Sequence, residues 1–252
     1  MKVKEMVGYQ FFRGVALVME KNVKIYYTKP PVIIFGLLFP FFMFLAFYLG
    51  RELNLHSYFP GILAMTLFFT SSSVGPLITP WEKTAGTYER LLSFPINIKV
   101  IIGGDVVAGM VFGIIINVLV LVGGLMFLPY RINIWVLTTG TLLASFCFSS
   151  LGVLLASPSA GAPSHIMMLS SLIRFPLIFI SGIFIPLGNL QGIGKIATYF
   201  SPLTYLVDLF NFSLRGEFYI SVMADFIALF SFSVVFLYLA NRFLKRNLMK
   251  GL

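Results

Sequence analysis

The sequence predicts an all-α polytopic membrane protein: an N-terminal amphipathic interface helix, six transmembrane helices and an outer re-entrant hairpin before the last span. Of the 252 residues 58% are apolar and only 11% are charged, where soluble domains carry about a quarter charged. The charges leave uncharged runs at 30–50, 53–81, 106–130, 132–173 and 175–194. A bilayer core of roughly 30 Å takes about 20 helical residues, so runs of this length are spans rather than core helices.

Residues 9–28 carry too many charges to span. At 100° per residue Gln10, Arg13, Glu20, Lys21, Lys24 and Thr28 gather in one sector, and Phe11, Phe12, Val15, Val18, Met19, Val23, Ile25 and Tyr26 fill the rest, with Leu17 and Asn22 as exceptions. That pattern is an interfacial helix lying in the headgroups. Its charges also argue against a cleaved leader. The Pro30-Pro31 pair then turns the chain into the first span.

Hydropathy places the spans near 32–50, 58–79, 101–127, 133–156, 166–186 and 219–241, the run 132–173 being divided at Pro158 and Pro163. An even number of spans puts both termini on one side. Thirteen of the 18 Lys and Arg fall in the N-terminal segment, the loop after the second span and the C-terminal tail, against four on the opposite side (Arg51, Arg131, Lys195, Arg215). By the positive-inside rule both termini are cytoplasmic, in a multi-pass protein of the cell membrane. Tyr27, Trp81, Tyr130, Trp135 and Tyr219 lie at span ends as belt aromatics do. The net charge of +9 thus follows from topology and does not indicate a nucleic-acid partner.

Residues 187–216 are apolar but cut by Gly188, Gly192, Gly194 and Pro202. Irregular backbone at membrane depth must be buried in protein or face water, which suggests the outer hairpin.

Chemistry-bearing clusters are missing from the chain. The lone Cys147 excludes a disulfide framework or a cysteine metal site, and His56 and His165 are far apart, so no metal ligand set is expected. A phosphate loop would read G-x-x-x-x-G-K-[ST]. The nearest stretch, from Gly188 to Ile196, has the wrong spacing and ends in Ile196. Ser164 and His165 are adjacent at a span boundary with no nearby carboxylate, which suits a helix cap better than a nucleophile. No catalytic residue is assigned.

The loop after the second span is the most informative segment. It reads Trp81-Glu-Lys-Thr-Ala-Gly-Thr-Tyr-Glu-Arg-Leu-Leu-Ser-Phe-Pro95. Glu82, Gly86, Thr87, Glu89 and Arg90 precede Leu91 and Leu92, a pattern suited to a short amphipathic helix ended by Pro95. A rigid element with charged contacts to a soluble partner and leucines against the membrane is what a motion-transmitting loop requires. The segment resembles the E-x-x-x-G-T-x-E-x-L-L-x-x-P coupling helix of the ABC-2 type transporter permease family, and SGIFIPL from Ser181 with SPLTYLVD from Ser201 is similar to the family's late extracellular region.

The resemblance implies a permease subunit of an ATP-driven exporter, working by alternating access as a homodimer or pseudo-dimer. Residues 81–95 would then dock on a separate ABC ATPase subunit. It also implies that this chain binds no cofactor, ATP and Mg belonging to that partner. A wealth of Phe, 28 in all, favours a hydrophobic or amphipathic cargo such as a drug, lipid or lipid-linked glycan. The alternative is a membrane protein outside that family: a secondary transporter, which would show inverted repeats and an ion site, an intramembrane enzyme, or a scaffold.

Polar residues inside spans remain. Asp105, Gly109, Gly113 and Asn117 recur every four residues in the third span, a small-residue stripe for close packing or a lining for a substrate path. Arg174 is the one charge well inside a span and needs a partner or water. Asp105, entering from the same side, suits it better than Asp225. An intramembrane ion pair and a contact to anionic substrate both fit the residue.

Overall fold

The structure is a computed structural model that describes residues 2–26, 34, 38, 39, 41, 42, 45, 55–93, 97–157, 163–185 and 187–250. Among the described residues every regular element is helical. In chain order these are α1 (Lys2–Tyr26), α2 (Leu55–Thr84), α3 (Thr87–Ser93), α4 (Ile98–Phe127), α5 (Ile134–Ala156), α6 (Pro163–Phe179), a 3-10 turn (Leu187–Asn189), α7 (Ile193–Thr198), α8 (Pro202–Arg215) and α9 (Val222–Lys250). The first expected span, 32–50, and the Pro30-Pro31 turn lie largely outside the described residues.

Among the described residues four helices, α2, α4, α5 and α9, are long and apolar enough to cross a membrane. Two of them form the centre: α2 packs along α5 and α4, while α8 and α9 close around α5 and α6 leans on α2. The core between α2, α5 and α8 is built on Phe68, Phe148 and Phe210, all fully buried, with the Phe68 and Phe148 rings edge-to-face at 5.0 Å. By contrast α9 leaves Phe230, Val234, Val235 and Tyr238 exposed, as a helix facing lipid does.

Glycine sets how closely the central helices approach. A Cβ on Gly75 of α2 would lie 2.6 Å from the Gly152 carbonyl of α5, and one on Gly152 would lie 2.6 Å from the Ser72 carbonyl. On α4 a Cβ at Gly109 would meet Ser149 Oγ at 2.7 Å, and one at Gly113 would run into Ser71 Oγ. Backbones can meet this way only where side chains are absent.

Several elements differ from expectation: α1 begins at Lys2 rather than 9, and α9 runs to Lys250 rather than 241. The second span was expected to end at 79, but α2 runs on to Thr84 through Pro60, Pro76 and Pro80. Each proline removes an N–H and so the helical donor of the carbonyl four residues before it; for Pro60 that carbonyl is His56 O, which accepts from Tyr130 Oη at 2.7 Å. Donors from neighbouring elements let a helix of this kind carry proline. The fifth span was expected to reach 186, whereas α6 stops at Phe179 after 17 residues. Beyond it Gly182 turns the chain at φ +85°, a conformation that favours glycine.

The segment 187–216 contains the buried helix α8, which starts with Pro202 in its first turn and ends on Gly216 at φ +75°. Asp208 is enclosed in the middle of α8 and accepts the backbone N–H of Tyr219 at 2.9 Å and of Ile220 at 2.7 Å. One carboxylate thus clamps the turn into α9.

Candidate functional site

The site lies where α2 leaves the core. Its last turn is followed by a tight corner in which Ala85 N donates to Trp81 O at 3.0 Å and Gly86 N to Lys83 O at 3.1 Å. Gly86 takes φ +66°, the left-handed region that a side chain resists, and the chain reverses into α3. Thr87 Oγ1 donates back to Glu82 O at 3.1 Å, capping the end of α2. Residues 81–93 are therefore the end of a long helix, a glycine corner and a seven-residue helix, not one short helix; the expected stop at Pro95 lies outside the described residues.

Glu82, expected to meet a soluble partner, points the other way. Because α2 continues through it, Glu82 falls one turn after the buried Ile78 and is itself only 4% exposed. A carboxylate so enclosed needs a cation, and Lys21 Nζ of α1 supplies it as an ion pair. The neighbouring Asn22 is fully buried, and its Nδ2 donates to Asp105 Oδ1 of α4 at 2.7 Å. Two successive residues of α1 thus hold both the end of α2 and the start of α4.

Tyr88 of α3 completes the cluster. It is 3% exposed, and burial first, then the nearby Asp105 and Glu82 carboxylates, push its phenol above the usual range. Lys83 Nζ lies 5.3 Å from the centre of its ring. Trp81, Thr84, Ala85, Thr87, Arg90 and Ser93 form the exposed outer face of the corner. Glu89 lies within α3.

The remaining intramembrane residues do not converge. The expected Asp105–Arg174 ion pair is absent among the described residues: Asp105 takes the Asn22 amide, and Arg174 of α6 donates from Nη1 to Ser73 Oγ at 2.8 Å and Ser72 Oγ at 3.4 Å. Its Nε donates to Ser170 O at 3.3 Å, and its guanidinium lies 5.8 Å from the Phe69 ring centre. The reason is level along α2. Arg174 meets residues 72 and 73, whereas Asp105 shares a small cavity with Thr79 and Tyr88, about 10 Å further along the helix at 1.5 Å per residue. Asn117 Nδ2 donates to Leu63 O at 2.8 Å and joins α4 to α2. Among the described residues no three His, Cys, Asp or Glu are placed to hold a metal ion.

Sequence reasoning passed over Lys21 and Asn22. The signal was Asn22, a polar residue on the apolar face of α1 that burial obliges to find a partner.

Comparison with known proteins bears on what this corner serves. The model of the ABC-2 type transporter family matches residues 13–214, which take in the second half of α1, the corner and all but the last residue of α8. The chain belongs to the ABC-2 type transporter family. It is similar to the inner membrane transport permease YadH of Escherichia coli strain K12 and of Shigella flexneri, at 25% identity over 177 residues, 70% of this chain and 69% of those proteins. This ABC-2 family member is thus a multi-pass membrane permease subunit of an ABC transporter, and membership implies a separate ATPase subunit.

Proposed function

We propose that this permease subunit exports a hydrophobic or amphipathic substrate (drug, lipid or lipid-linked glycan) across the cell's inner membrane by alternating access. In this reading it works as a homodimer with two ATPase subunits that bind the ATP and Mg. Both termini are cytoplasmic, and the exposed face of the α2–α3 corner, with Glu89 and Arg90, docks on the ATPase.

The observation that carries the reading is the continuity of α2. The helix that makes the most of the bundle core is the same one that ends at the corner, so a push on α3 reaches the centre of the bundle through one continuous helix. Gly86 lets α3 tilt against that helix. Glu82 and Lys21 carry the displacement to α1, and Asn22 with Asp105 carries it on to α4.

The test is reconstitution. The purified chain alone hydrolyses no ATP and gains hydrolysis on co-expression with its ATPase. Nucleotide binding by the isolated chain would refute the division of labour. Glu89→Lys leaves the protein inserted while hydrolysis no longer drives transport; normal transport by that variant would refute docking through α3.

A further inference from the structure

A cavity of about 460 Å³ lies between α1, α4, α5 and α9, at the end of the bundle where α4 begins and α9 ends. It is separate from the corner and from the polar residues of the span interiors. Its lining has a direction. At the mouth sit Lys99, in the first turn of α4, and Asn241 of α9. Deeper in, the walls are apolar: Gly103 and Val107 of α4, Phe146 of α5 and Leu237 of α9, roofed by Phe12 of α1. From Lys99 to Val107 the helix rises about 12 Å, so the polar and apolar ends are stacked along the spans as headgroup and acyl chain are in a leaflet.

Two further observations bear on the occupant. Lys99 is exposed at the mouth, whereas Asn241 Oδ1 is enclosed in the protein, so what the mouth presents is a cation. The roof and wall approach tightly, a Cβ on Gly103 lying 3.1 Å from Val15, so the cavity is framed by packed helices. We propose that this cavity holds one acidic phospholipid of the cytoplasmic leaflet, its phosphate on Lys99 and one acyl chain along Gly103 and Val107. The leaflet rests on the cytoplasmic placement of the termini proposed above; the site itself does not. A lipid seated here stands under α1, the helix that grips the coupling corner, and so acts as a structural shim for it.

The test is native mass spectrometry of the full chain in detergent, with phosphatidylglycerol or phosphatidylcholine added at equal concentration. Wild type retains one lipid and prefers phosphatidylglycerol by about fivefold, the factor that one lysine beside an acidic headgroup supplies. Lys99→Glu abolishes the preference but still binds phosphatidylcholine, and Val107→Trp, which fills the chain slot, loses both. Thermal unfolding confirms that each variant is folded. Equal retention of the two lipids by wild type, or undiminished retention by a folded Val107→Trp, overturns the proposal. Because the readout needs neither ATP nor a partner, its failure is distinct from failure of the exporter reading.

Discussion

Asn22 of the N-terminal helix donates its amide to Asp105 of α4 at 2.7 Å, one residue after Lys21 binds Glu82 at the end of α2. A helix that hydropathy assigns to the membrane surface is therefore fastened to the bundle by buried polar bonds. Surface adhesion alone would leave it free to slide.

Removing one half of the ion pair isolates a buried charge. Lys21→Met should cost about 2 kcal/mol, below the range for a fully buried pair because the Lys21 side chain retains 27% of its exposure. Adding Glu82→Gln should recover much of that loss. Thermal unfolding of the four variants measures the coupling, and simple additivity would show that the two side chains act independently.

Gly75 and Gly152 bring the backbones of α2 and α5 together in the core. Alanine at either places a methyl against backbone at 2.6 Å and should destabilise by roughly 1–3 kcal/mol. Gly123 has open space around it, so alanine there should be neutral or gain up to about 1 kcal/mol from helix propensity. A loss at Gly123 equal to that at Gly75 would contradict this packing.

Gly86→Val forces a branched residue to φ +66°, which costs about 1–2 kcal/mol. Ala85 and Thr87 on either side of Gly86 are exposed, so the bundle should still fold and insert. What should fall is coupling, read as transport per ATP hydrolysed in the reconstituted complex; an unchanged ratio would show that α3 does not need this corner.

Arg174 and Asp105 have separate partners. The losses from Arg174→Ala and Asp105→Asn should therefore add to within about 0.5 kcal/mol. Recovery in the double variant would mean that the two charges meet after all.

Asp208→Ala strips the acceptor from the N–H groups of Tyr219 and Ile220 and should cost about 1–3 kcal/mol. Asn in the same place keeps one acceptor oxygen and should lose less. Equal losses would place the role of Asp208 elsewhere.

The helices were legible because charge is scarce: long uncharged runs have few ways to satisfy their backbone in lipid, and α4, α5 and α9 follow from that. The corner was legible as a segment through its Gly-Thr pair. Its direction was not. Pro76 and Pro80 argue for an end to the second span, yet the helix continues through both to Thr84; that continuation turns Glu82 inward. Arg174 was misassigned a partner for a related reason. Depth counted along separate helices says nothing of which faces meet, whereas Ser72 and Ser73 sit on the face of α2 that meets α6. The early end of α6 is hidden because residues 180–185 remain apolar while Gly182 turns.

The fastening of α1 also sets an order of birth. Lys21 finds its anion 61 residues later in the chain and Asn22 its carboxylate 83 residues later. The ribosome therefore releases the N-terminal helix long before anything exists to hold it. A segment made before its partners is thus fixed late, only once α2 and α4 have both been made.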